Sequence, residues 1–192
     1  MNITSACCRN GFPLRSKPSA NAGVRLMSED INTQRRRAIA ECIGRLTLSW
    51  SYLELIVDGC ISLTHIYFEG KSLEDRRPKT FSAKLKYLIE GAKEKKQMGF
   101  LSPYLPYFEQ MSELADYRNW LLHGHLVKIN DNQTLQFSRQ SIKVKAPKIE
   151  CKTFVFDEIQ KYTQEIHELG VIMHELMDKI LEVTEFVGDS EA

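Results

Sequence analysis

The chain has 192 residues, with 26 Lys and Arg against 25 Asp and Glu, and 43% of its side chains are hydrophobic. That balance speaks against a wholly disordered chain and suits one domain with its own core, plus at most a tail. No unbroken apolar run approaches the ~20 residues that span a bilayer, so no membrane partner is expected. The five cysteines are scattered, with no CxxC pair, which argues against a disulfide framework or a structural zinc site and for a cytoplasmic, reducing location.

Charge is unevenly spread. Residues 1–26 carry Arg9, Arg15, Lys17 and Arg25 and no acid, a charge of +4, which leaves −3 for the remainder. This leader holds Gly11, Pro13, Pro18 and Gly23, follows no period, and lacks the apolar stretch of a secretory signal. Its Pro and Gly spoil the amphipathic helix of a transit peptide. Residues 1–26 are read as a disordered leader, with Met27 as an alternative native start, and residues 27–192 as a single helical domain.

From about Ile31 to Phe68 the pattern is helical: Ile43, Leu46, Trp50, Leu53, Val57, Ile61, Thr64 and Phe68 recur at spacings of three and four. About 38 residues is long for a globular helix, so a break near Gly44 or Leu48 is expected. After a charged loop over residues 70–79, Thr80 opens a second helix bearing Phe81, Leu85, Leu88, Ile89 and Ala92, whose last turn is weakened by Gly91. A third helix runs from about Pro103 to His123, and Gly124 suits the left-handed residue that ends a helix. The period then changes to two. Val127 and Ile129, a turn at Asp131-Asn132, then Leu135 and Phe137 form a hairpin. Ile142 with Val144, and Phe154 with Phe156, give one or two more strands around an Ala146-Pro147 bend. Asp157 caps a last helix reaching about Val187, with Glu158 beside it at the positive end of the dipole. The expected fold is mainly α: four main helices, with a small β-hairpin between the third and last.

The informative places are where binary patterning fails. On the third helix Arg118 falls inside the apolar arc, and a guanidinium, which keeps its charge, must reach water, a partner or a cavity. Glu54 falls inside the arc of the first helix, so the simplest account pairs Glu54 with Arg118, a pairing that is often merely structural. Asn119 and His123, four apart, share one helix edge. Arg118 and His123 lie roughly 140° apart on a straight helix and would flank a groove rather than touch. Histidine moves protons near neutrality and arginine binds phosphate oxygens in pairs, the two requirements of metal-free phosphodiester cleavage. The plainer alternative is a capping histidine with a core ion pair.

Arg118-Asn119-Trp-Leu-Leu-His123 before Gly124 resembles the signature of the HEPN (higher eukaryotes and prokaryotes nucleotide-binding) superfamily: an Arg, a polar residue, then a His four to six residues on. Trp50-Ser-Tyr-Leu-Glu54, Lys84-Leu85 and the β-hairpin before the last helix resemble a prokaryotic subgroup of it, over roughly residues 35–187. The resemblance implies a HEPN-like bundle that forms a homodimer with motif helices facing. It implies a metal-independent endoribonuclease, such as a toxin or phage-defence effector, with an antitoxin or operon partner. Arg118, Asn119 and His123 would then be catalytic: His123 as acid or base, Arg118 on the charged phosphorane, Asn119 orienting either. Products would be a 2′,3′-cyclic phosphate and a 5′-hydroxyl. The resemblance implies no cofactor and no metal.

The chain departs from the pattern of HEPN toxins neutralised by AMP transfer, which carry a Tyr where His125 stands. With a domain charge of −3, RNA would need a local patch, for which Lys84, Lys86, Lys93, Lys95 and Lys96 are candidates, though a charge run is more often a solvated face. Many HEPN-like domains are catalytically silent dimerisation or partner-binding modules, which is the competing reading. His167 with His174, or His123 with His125, lack the further ligands a metal site needs. Cys42 and Cys60 read as buried thiols. Trp120, about 160° from Arg118, is either a dimer-interface aromatic or a base-stacking platform.

Overall fold

The computed structural model describes residues 22–130, 134–141 and 148–188. By its internal contacts the chain divides into Met1–Arg36 and Arg37–Ala192. The first unit contributes the N-terminal part of a helix, α1 (Ala22–Tyr67), that begins inside the leader; residues 1–21 lie outside the described residues. Everything below concerns the second unit.

Among the described residues it holds the rest of α1, then α2 (Phe81–Glu94), α3 (Leu105–His123), three strands and α4 (Phe156–Gly188). The strands β1 (His125–Ile129), β2 (Thr134–Ser141) and β3 (Lys148–Val155) form an antiparallel sheet in the order β1-β2-β3, between the third and last helices. The protein is thus mainly helical, and the expected hairpin is extended by a third strand. Its Asp131-Asn132 turn, Ile142, Val144 and the Ala146-Pro147 bend lie outside the described residues.

The core confirms the periodic reading. Leu46, Trp50, Leu53, Val57, Cys60 and Ile61 of α1 are buried with Leu85 and Leu88 of α2, Phe108, Met111 and Leu114 of α3, and Ile166, Leu169, Met173, Leu176 and Ile180 of α4. The expected break in α1 does not occur. Ile39, Cys42 and Leu46 continue one buried face past Gly44, so tertiary burial offsets the ~1 kcal/mol cost of a helical glycine. Its Thr33–Tyr67 stretch is long and apolar enough to cross a membrane by length and composition, although its apolar residues form no unbroken run. The apolar residues there divide between this core stripe and exposed Leu48, Leu55 and Ile66, a distribution that a core helix also gives.

Local chemistry sets the helix ends. Thr80 accepts a hydrogen bond from the Ala83 amide at 3.3 Å and caps α2. A 3-10 helix over Lys96–Tyr104 precedes α3, which therefore starts at Leu105 rather than Pro103. At α4 the cap is not Asp157: the helix starts at Phe156, and Glu158 accepts the Val155 amide at 3.2 Å, the carboxylate half of a capping box. Phe156 accordingly belongs to the helix and not to a strand.

Two β-expectations also change. Leu135, Phe137 and Phe154 are buried, but Leu126 and Val127 are exposed. The β1–β2 register shifts between Leu126 and Lys128, leaving Val127 at a bulge that breaks the alternation. Gly124 is not left-handed: its φ is −81° and ψ 153°. A β-carbon there would run into the Trp120 carbonyl oxygen and lie 3.3 Å from the Phe137 β-carbon. Glycine is needed for close approach of β2 to the end of α3, not for handedness.

That distinction is testable by urea unfolding. Gly124→Ala should destabilise the protein by about 1–3 kcal/mol through overpacking. Gly44→Ala, where a β-carbon meets nothing within 4 Å, should stabilise it by up to about 1 kcal/mol.

Candidate functional site

The last turns of α3 carry Asn119 and His123 on one edge and Arg118 on another bearing. Arg118 points toward α1, where its guanidinium carbon lies 5.3 Å from the centre of the Trp50 ring. Trp50 is itself 4.6 Å from Phe81 of α2. The expected Glu54–Arg118 pair is replaced by another arrangement: Lys84 of α2, which is buried, lies 3.6 Å from Glu54 and 2.7 Å from Asp58. Lys84 stands three residues after Phe81 and one before Leu85, on the apolar face of α2. It breaks the pattern as Glu54 does, which is the signal that pairs them. It is also unavailable to a lysine patch for RNA.

Arg118 instead engages its own helix. Its Nη1 donates to Asn119 Oδ1 at 3.0 Å and lies 3.4 Å from His123 Nε2. The expectation that Arg118 and His123 flank a groove without touching is therefore corrected: a long side chain swings along the helix and closes the angular gap. An arginine N–H only donates, so in this contact His123 Nε2 is the acceptor. Arg118 Nε is buried without a hydrogen-bond partner, as is Trp50 Nε1. Asn119 and His123 are both exposed.

His123 and Asn119 open onto a concavity of about 660 Å3, within the ~300–1,000 Å3 range of small-ligand sites. His125 lines it from the start of β1, and Ser138, Arg139, Gln140 and Ile149 line it from β2 and β3. The hollow follows from strand lengths. β1 begins at His125 opposite Ser138, while β2 runs on to Ser141, so the sheet is narrower beside the end of α3.

Trp120 takes the opposite bearing from Arg118 but is buried rather than a free interface aromatic. The Arg139 guanidinium lies 3.9 Å over its ring, and Lys152 lies 4.6 Å from the centre of the Tyr117 ring. Arg139 also meets Glu150 at 3.3 Å and Asp116 at 3.7 Å, and Lys152 meets Asp116 at 3.7 Å. Burial and the hydrogen bond with Tyr162 raise the Tyr117 phenol well above its ordinary range, so the ring stays neutral beneath Lys152. Arg139 and Lys152 were missed in the sequence. Strand parity points to them: Leu135, Phe137 and Arg139 share one face, as do Phe154 and Lys152.

The remaining candidates do not converge. His174 lies 4.0 Å from Asp178, and His167 lines a separate groove between α1 and α4 with Arg45 and Gln164. Among the described residues no three His, Cys, Asp or Glu side chains are grouped for a metal ion. Cys42 and Cys60 are buried, as expected, and burial pushes the Cys60 thiol up to about 12.

These contacts rank two substitutions by thermal or urea unfolding. Lys84→Ala removes a buried cation from two carboxylates and should cost about 1.5–3 kcal/mol. Arg118→Ala leaves Glu54 its lysine, loses chiefly the stack on Trp50, and should cost about 0.5–2 kcal/mol. A larger loss at Arg118 than at Lys84 would mean that the arginine carries the core ion pair after all. No family model, curated protein or solved structure matches the chain.

Proposed function

We propose that the protein is a metal-independent endoribonuclease of the HEPN type, acting at the Arg118–His123 end of α3. The observation that carries this reading is the 3.4 Å approach of Arg118 Nη1 to His123 Nε2, with His123 exposed at the rim of the concavity. A phosphodiester set against that pair could accept the Arg118 donor on a non-bridging oxygen, which frees His123 Nε2 for proton transfer. The ribose 2′-hydroxyl attacks the adjacent phosphorus as the base removes its proton. The bond to the 5′-oxygen breaks, and a proton delivered there leaves a 2′,3′-cyclic phosphate and a 5′-hydroxyl. Arg118 offsets the charge gathering on the phosphorane, and Asn119 Oδ1, already bonded to Arg118, holds it in place. His125 lines the same concavity and offers a second imidazole for the other proton transfer.

A role as toxin or phage-defence effector with an operon partner belongs to the same reading, as does a homodimer. Trp120 no longer supports dimerisation, because Arg139 covers it. Leu48 and Leu55, one heptad apart on α1, are 73% and 67% exposed and supply an apolar stripe for a second copy. The competing reading, a catalytically silent dimerisation or partner-binding module, draws on the seating of Arg118 against Trp50 with its Nε buried.

Purified protein should cleave single-stranded RNA in excess EDTA. His123→Ala should lower the rate by roughly 10²- to 10⁴-fold, while an exposed position should change stability by no more than about 0.5 kcal/mol. Arg118→Ala should also lose cleavage. Wild-type rates in His123→Ala, or a strict need for added Mg²⁺, would remove this mechanism, and no cleavage at all would leave the silent module standing. Light scattering should give a dimer that Leu55→Glu dissociates; a monomer at micromolar concentration would remove any mechanism that needs two copies.

A further inference from the structure

We infer that Trp50 is a positioning residue of the candidate site: its indole face holds Arg118 so that Nη1 stays against His123. This deepens the ribonuclease reading, on which its effect on catalysis rests.

Little apart from the indole fixes Arg118. Among the described residues it has no carboxylate partner; Glu54, one turn along α1 from Trp50, lies 3.6 Å from Lys84 instead. The guanidinium Nε is buried and makes no hydrogen bond. Its polar contacts are both at Nη1, to Asn119 Oδ1 at 3.0 Å and to His123 Nε2 at 3.4 Å. Those two side chains are exposed and stand on the same helix, so by themselves they hold a long, rotamer-rich side chain weakly. The Trp50 ring, centred 5.3 Å from the guanidinium carbon, comes from α1 and restrains it from outside. A cation over an aromatic face is attracted out to about 6 Å.

The ring can act as a fixed point because it is itself locked. Trp50 is 2% exposed, and its ring packs 4.6 Å from that of Phe81 on α2. A buried indole N–H normally finds an acceptor, yet Trp50 Nε1 has none, so packing alone sets the ring. Two donors, Trp50 Nε1 and Arg118 Nε, are thus left unpaired on two side chains in contact. A fold carries such a cost where another demand overrides it. The demand met here is a permanent cation turned outward, with Nη1 at an exposed imidazole rather than at a carboxylate of the core. Trp50→Leu fills much of the space but offers no electron-rich face, which frees Arg118 to leave His123.

The test uses the full chain and a fluorescent single-stranded RNA in excess EDTA, with each variant assayed well below its own melting temperature. Charge on the phosphorane grows in the transition state, so Trp50→Leu should lower kcat about 10- to 100-fold and change KM by less than about threefold. Trp50→Phe keeps a ring face and should recover most of that loss. Trp50→Leu combined with Arg118→Ala should be no slower than Arg118→Ala alone, with residual rates followed at high enzyme concentration, because the tryptophan acts through the arginine. An unchanged kcat in Trp50→Leu, or a further loss in the double variant, overturns the proposal. The contact is also read without cleavage, by NMR. In the wild type the Arg118 Nε–H should be shifted upfield by the indole and exchange slowly with water. The His123 ring signals should move in Trp50→Leu as they do in Arg118→Ala. An Arg118 Nε–H with the shift and exchange of a free arginine overturns the proposal from the wild type alone, even if Trp50→Leu fails to fold. Coupled Arg118 and His123 signals in a protein that cuts no RNA uphold the positioning and remove the nuclease.

Discussion

A guanidinium on the inner arc of α3 stays charged at any pH a folded protein tolerates, and the surroundings of Arg118 are arranged to seat a permanent cation. An ion pair with Glu54 would bury both charges at the helix interface, where desolvation opposes the Coulombic gain. The fold instead gives Glu54 and Asp58 to the buried Lys84, where two part-exposed carboxylates share one cation, and lays Arg118 against the Trp50 ring. A cation over an aromatic face leaves Nη1 able to turn elsewhere, while Nε stays buried beneath the helix interface. The edge then points along α3, toward Asn119 and His123, and the charge emerges at the helix end. The core problem and the candidate site are thus one arrangement seen from two sides.

What stands beside that helix end depends on Gly124. An extended glycine lets the chain turn directly from α3 into β1 and lets Phe137 of β2 close against the last turn. Because β1 starts only at His125, β2 passes the helix end with three residues beyond its last β1 partner. A longer link between α3 and β1 would allow the strands to pair fully and the hollow to close. Short connection and unequal strands together place a sheet edge within reach of His123.

Much of the architecture was legible because it rests on periodicity. The core stripes of α1, α3 and α4, the switch to period two after Gly124, and buried Leu135, Phe137 and Phe154 all follow from apolar spacing. Spacing states which residues face inward, and does not state which inward charges meet. Glu54, Lys84 and Arg118 each violate the pattern, and a reading that weighed only two of them paired the wrong two. Angles on an ideal helix likewise kept Arg118 from His123, because they place β-carbons and not the ends of long side chains. Val127 was misread where a bulge breaks the alternation. Helix spacing leaves Trp120 uncovered because its cover, Arg139 and Lys152, arrives from strands some twenty and thirty residues later.

The two arginines near the site differ in what their neighbours have consumed. Arg139 has carboxylates at its edge and an indole beneath it, so its positive charge is locally cancelled. Arg118 has an indole beneath it, and near its Nη1 stand an amide oxygen and an imidazole nitrogen rather than a carboxylate. Replacing a neutral acceptor with a phosphate oxygen is a gain for a guanidinium, while drawing it from a carboxylate is close to an exchange. Under the proposed ribonuclease reading a backbone phosphate would therefore settle at Arg118 rather than at Arg139. This division also answers the chain's near-neutral charge. A near-neutral chain gains little from phosphates at long range, so under the ribonuclease reading its hold on a strand would rest on close contacts such as the one Arg118 offers.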